Sequence, residues 1–133
     1  MNRRLLFLGV FLSVIAVVAS TSILFLKGAS NDPESNLVFT IAVQLNLFHA
    51  VLLFVLAWVK RKYDDKNLII TGWIFTFSIL IFSGTAYFSM LSETGIILFN
   101  TIGVIGVIGV IGLLVGWIAL SKEFYDIFVP RRH

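Results

Sequence analysis

The sequence predicts an all-α fold: an integral membrane four-helix bundle, up-down-up-down, with the N and C termini cytoplasmic. Three observations carry this. The chain is 59% hydrophobic and only 13% charged, with a mean hydropathy of +1.00; soluble domains are about half apolar and about a quarter charged. The apolar residues fall into four blocks, each longer than the roughly 20 residues needed to cross a hydrocarbon core about 30 Å thick. The basic residues gather beside alternate ends of those blocks, as the positive-inside rule requires.

The first block runs from Leu5 to Leu26. Its Arg3-Arg4 start and the small residues of Val17-Val18-Ala19 resemble a signal peptide, but the apolar run is longer than a typical h-region, so a retained helix is expected. The second block is Leu37 to Val59, the third Leu68 to Leu91 and the fourth Ile96 to Leu120. Blocks of this length exclude barrel strands, which run to about 10 residues and alternate. The connectors are short: Lys27 to Asn36 with Gly28 and Pro33, the highly charged Lys60 to Asn67, and the turn Ser92 to Gly95. Short connections force antiparallel neighbours, and 1–133 reads as a single transmembrane domain. Residues 121–133 are expected as a short interfacial tail, with Phe124, Ile127 and Phe128 on one face, ended by Pro130 and Arg131-Arg132.

Orientation follows from charge. Arg3, Arg4, Lys60, Arg61, Lys62, Lys66, Lys122, Arg131 and Arg132 fall on one side, nine of the ten basic residues; Lys27 alone is opposite. The larger set marks the cytoplasmic face of the cell membrane. A net charge of +3 spread this way fits topology and contact with anionic membrane lipids, not nucleic acid. With no cysteine there is no disulfide or thiolate metal site. Trp58, Trp73 and Trp117 all fall toward the cytoplasmic ends of their blocks, which predicts an aromatic belt.

No Asp, Glu, Lys or Arg lies inside any block, which weighs against a proton pump or an ion-coupled transporter. The informative polar residues are His49 near the middle of the second helix, Gln44 and Asn46 on its outer half, Ser83 and Tyr87 on the third helix and Asn100 on the fourth. Asn46 and His49 are three apart and share a face, while Gln44 points away. Two readings stand side by side. One is an outward-facing polar vestibule floored by His49. The other is plain interhelical hydrogen bonding, about 0.6 to 2 kcal/mol per bond; serine and threonine hydroxyls can also bond back to the preceding turn. The second histidine, His133, is at the C-terminus, so no metal, haem or other cofactor is expected. No catalytic constellation occurs, and the chain is not expected to be an enzyme.

The strongest pattern is Gly103, Gly106, Gly109 and Gly112, followed by Gly116. A period of three drifts by about 60° per step on a 3.6-residue helix. These helix-packing glycines therefore predict a groove that winds round the fourth helix and meets more than one neighbour.

Several segments resemble a known family. They are Thr40-Ile-Ala-Val-Gln-Leu-Asn-Leu-Phe-His49-Ala50, Gly72-Trp-Ile-Phe with Leu80-Ile-Phe82-Ser83-Gly84-Thr85-Ala-Tyr87, and Gly116-Trp117. Together they are similar to the YgdD/YwdK-like domain-of-unknown-function family (number 423) of small four-helix membrane proteins. The resemblance implies the fold and no established activity. Where the family carries a Gly-Ala-x-Gly-Ala-His stretch at the end of its first helix, this chain has Ala19-Ser-Thr-Ser-Ile-Leu24, and the glycine repeat replaces the family's proline and paired glycines in the fourth. A site needing two histidines is therefore incomplete here. The expected function is a structural or accessory subunit of a larger membrane complex, with other membrane-protein subunits or itself as partners. The alternative is small-solute or lipid handling at the polar cluster near His49.

Overall fold

The computed structural model describes the backbone of residues 2–27, 33–63, 66–91 and 97–129, and the side chains of residues 2–23, 25, 36–63, 66–89 and 103–129. These residues form α1 (Arg3–Lys27), α2 (Pro33–Lys62), α3 (Asn67–Leu91) and α4 (Ile97–Phe128), with no strand among them. Each helix is long and apolar enough to cross a membrane, and helices are a spanning structure that pairs every backbone group within the segment. The chain is a multipass membrane protein.

Local chemistry sets the helix ends. Asn2 caps α1, its Oδ1 accepting from the backbone N–H of Arg4 at 3.0 Å and of Leu5 at 3.3 Å. Pro33 opens α2, where its missing N–H costs nothing. Lys60, Arg61 and Lys62 close α2 against the negative end of the helix dipole. The expected interfacial tail is instead a continuation of α4 through Phe128. The reason is packing. Leu120 is buried in the core, and Phe124 and Ile127 rest against it, a spacing of four and three that keeps one face inward. On the same stretch Asn67 Nδ2 donates to Glu123 Oε2 at 3.4 Å, and the Phe128 ring meets Tyr63 edge-on at 5.6 Å.

The helices are not equally shared. α3 packs against all three others and α1 pairs with α2, whereas among the described residues the backbone of α4 comes close to α3 alone. Two core clusters show the consequence. The larger, toward the end bearing Arg3, Lys60 and Lys122 (the basic end), draws on all four helices: Leu5, Leu8 and Leu12 with Leu53 and Leu56, Phe75 and Ile79, Leu113 and Leu120. The smaller, toward the opposite end, consists of Ile23, Phe39, Ala42, Ala86 and Tyr87, with no α4 residue among the described ones. Among the described residues, α4 joins the core only toward the basic end.

Candidate functional site

The buried polar face of α2 sits where these two clusters meet. Asn46 and His49 are 0% and 2% exposed. His49 Nδ1 lies 2.7 Å from the carbonyl oxygen of Leu45. A carbonyl only accepts, so Nδ1 carries the proton in that bond and Nε2 is left as the free nitrogen. Nε2 is buried with no hydrogen-bond partner among the described residues, and the same holds for Asn46 Oδ1. The Asn46 Nδ2 amide donates to the Tyr87 hydroxyl at 3.4 Å, and Tyr87 is held edge-on by Phe39, centroids 5.8 Å apart.

Aromatic rings close the space around His49. Phe75 of α3 lies 5.3 Å from the imidazole centroid, Phe48 5.4 Å and Trp117 of α4 6.3 Å. Trp117 also stacks on Phe48 at 6.2 Å and meets Phe75 edge-on at 5.4 Å, so it joins α4 to α2 by side chain. Trp58, Trp73 and Trp117 all keep an exposed face, at 63%, 40% and 38%. Trp117 lies about three turns inside α4, which continues to Phe128, and its ring reaches His49 and Phe75. Sequence reasoning singled out none of Phe48, Phe75 and Trp117 as part of the site.

The remaining expected site residues separate. Ser83 is buried, but its hydroxyl donates to Ile79 O of its own helix at 2.7 Å. Gln44 is exposed, on the other side of α2 from His49. The side chain of Asn100 lies outside the described residues. Of the two readings, the described residues show no open vestibule: Asn46 and His49 are buried, and Asn46 bonds Tyr87. Among the described residues no group of three or more His, Cys, Asp or Glu stands together to hold a metal ion.

The glycines of α4 divide into two sets. A Cβ on Gly109 would stand 2.8 Å from Phe82 N and 2.9 Å from Ser78 O; one on Gly112 would collide with the Ser78 hydroxyl; one on Gly116 would stand 2.9 Å from the Phe75 ring. These three close a seam with α3. Gly106 meets Thr85 Oγ1 at 3.1 Å, and Gly103 meets nothing within 4 Å. Among the described residues the glycine contacts are with α3 alone, α4 reaches α2 through Trp117, and Gly103 lies outside the seam. The geometry is simple. Steps of three and then four return Gly116 to within about 20° of Gly109, while two steps of three carry Gly103 about 120° away.

Where the seam opens there is a cleft of about 220 Å³, lined by Val38, Phe82, Thr85, Ala86, Ser89, Gly103, Gly106, Val107 and Val110. It lies in the half of the bundle away from the basic end. Its two hydroxyls are bonded to their own backbone, Thr85 Oγ1 to Phe82 O at 2.7 Å and Ser89 Oγ to Ala86 O at 2.8 Å. The cleft therefore presents small side chains and apolar surface, and neither His49 nor Asn46 lines it.

No curated protein and no solved structure matches the chain. A family model described as a protein of unknown function (DUF423) matches residues 25–112, which span the second and third helices, the paired Asn46 and His49, and the glycine repeat of the fourth. The chain belongs to that family.

Proposed function

We propose that this protein is an accessory subunit of a larger assembly in the cell membrane, with its basic end in the cytoplasm and no reaction of its own. The observation that carries the reading is the cleft between α3 and α4. Membrane helices associate through small residues that let backbones approach, because lipid supplies no hydrophobic drive between them. Gly103, Gly106, Ala86 and Ser89 offer such a surface in a cleft left open among the described residues. A large apolar side chain from a neighbouring helix fits a space of this size. The test is purification from native membrane in mild detergent, comparing the natural chain with Gly103→Leu. A Cβ at Gly103 meets nothing within 4 Å, so the added side chain enters the open cleft without forcing the backbones apart, and the reading predicts that a stoichiometric partner is lost while the chain stays folded. A chain that purifies alone, or a partner retained equally by both forms, contradicts it.

A second reading is favoured by one specific observation: two buried acceptors, His49 Nε2 and Asn46 Oδ1, have no partner among the described residues. Leaving such groups unpaired costs about 1–3 kcal/mol each. A small hydrogen-bond-donating solute held between them offsets that cost. On this reading His49→Leu abolishes solute binding with the bundle intact; a ligand retained by that variant contradicts it.

A further inference from the structure

At the basic end, α1 and α3 meet closely. Leu5 lies directly over Gly72, where a Cβ would collide with its Cδ2. That approach sets the first two turns of α1 beside the first two turns of α3. A groove of about 420 Å³ opens there, lined by Arg3, Arg4, Phe7, Leu8 and Trp73. Both arginines are exposed, and among the described residues no carboxylate lines the groove. From its floor two aromatic stacks lead toward the middle of the membrane, Phe7 on Phe11 at 6.2 Å and Trp73 on Phe77 at 5.4 Å. All four rings are exposed.

We propose that this groove binds an anionic phospholipid, with its phosphate on Arg3 and Arg4 and an acyl chain along Phe7, Phe11, Trp73 and Phe77. Guanidinium groups suit phosphate oxygens because their fork matches them two bonds at a time. An indole suits the headgroup level, since it joins an apolar body to one N–H donor. The combination selects a lipid over a free anion. Exposed arginines alone bind phosphate weakly in water, and the aromatic floor adds affinity only for a ligand that carries a chain. It also selects anionic over zwitterionic lipid, because the two arginines repel a choline or ethanolamine cation and no acidic side chain among the described residues lines the groove to meet one. The site is separate from the α3–α4 cleft, which opens in the other half of the membrane.

Native mass spectrometry of the purified full-length chain tests this, with dioleoyl phosphatidylglycerol and dioleoyl phosphatidylcholine as probes at equal mole fraction. One phosphatidylglycerol is expected to bind in preference to phosphatidylcholine. Its affinity falls roughly fivefold when either arginine is replaced by glutamine and roughly thirtyfold for Arg3→Gln with Arg4→Gln. The residues are exposed, so these variants fold. As a second measurement, brominated phosphatidylglycerol quenches Trp73 in a Trp58→Phe, Trp117→Phe chain, and 10 mM inorganic phosphate does not relieve the quenching. Equal binding of the two lipids, preference surviving the double arginine variant, or displacement by inorganic phosphate would each overturn the proposal.

Discussion

The same glycine repeat does two different things along α4. At Gly109, Gly112 and Gly116 it brings the helix onto α3, with Phe82, Ser78 and Phe75 filling the notches. At Gly103 and Gly106 the notches stay open and line a cleft. Composition is nearly identical in the two regions, so composition does not decide the outcome. Rotation does: successive steps of three turn the helix face off α3, and a step of four brings it back. The core follows suit among the described residues, with Leu113 and Leu120 in the cluster at the basic end and no α4 residue in the other. A small-residue pattern in a membrane helix thus marks where backbones can approach, and the register decides whether the approach is made inside the chain or left for a neighbour.

The largest expected effect is at the closed seam. At Gly109 even alanine must displace backbone, the amide of Phe82 and the carbonyl of Ser78. Gly109→Ala should cost about 1–3 kcal/mol, the range for overpacking, read as a lower melting temperature in detergent. An unchanged melt would mean that α4 does not sit on α3 as described. Next comes Gly112→Ala, whose clash is with the Ser78 hydroxyl and its Cβ at 3.0 Å. Removing that hydroxyl in a Ser78→Ala, Gly112→Ala double variant should recover most of the loss. Failure to recover any would break the assigned register.

A smaller effect is expected at His49. Its donor bonds its own helix at Leu45 O, while Nε2 is unpaired. His49→Leu therefore removes one local bond and one buried orphan acceptor, and stability should change by no more than about 1 kcal/mol in either direction. A loss of several kcal/mol would mean that Nε2 has a partner that holds the helices together. Smallest are the open glycines. Gly106→Ala needs only a slight shift of Thr85 and should be close to neutral. Gly103→Ala meets no atom and should raise stability by up to about 1 kcal/mol through helix propensity. Destabilisation at Gly103 comparable with that at Gly109 would erase the distinction between seam and cleft.

Much of this was legible from residues alone. Span length and polarity fix the four helices, and the three-residue spacing of Asn46 and His49 puts them on one face. What periodicity within one helix cannot supply is register between helices. That is why Phe75 and Trp117 were not linked to His49, and why Gly103 was grouped with Gly109. The end of α4 was hidden by charge: Lys122, Glu123 and Asp126 read as an interface segment, yet Leu120, Phe124 and Ile127 find core to bury. The hydroxyls of Thr76 and Ser83 bond Gly72 O and Ile79 O of their own helix, so buried serine and threonine say little about a site. Asn46 and His49 say more, because each keeps an atom that its own helix does not satisfy.

The central claim is that the open cleft is a contact surface for another membrane protein. Val107 lines it and is exposed, so a photoreactive phenylalanine analogue placed there and irradiated in native membranes reports directly on what fills it. The account predicts one discrete adduct with a second, different protein, absent when Gly103→Leu is also present. Adducts to lipid alone, to a second copy of this chain, or to the same partner regardless of Gly103→Leu would contradict it.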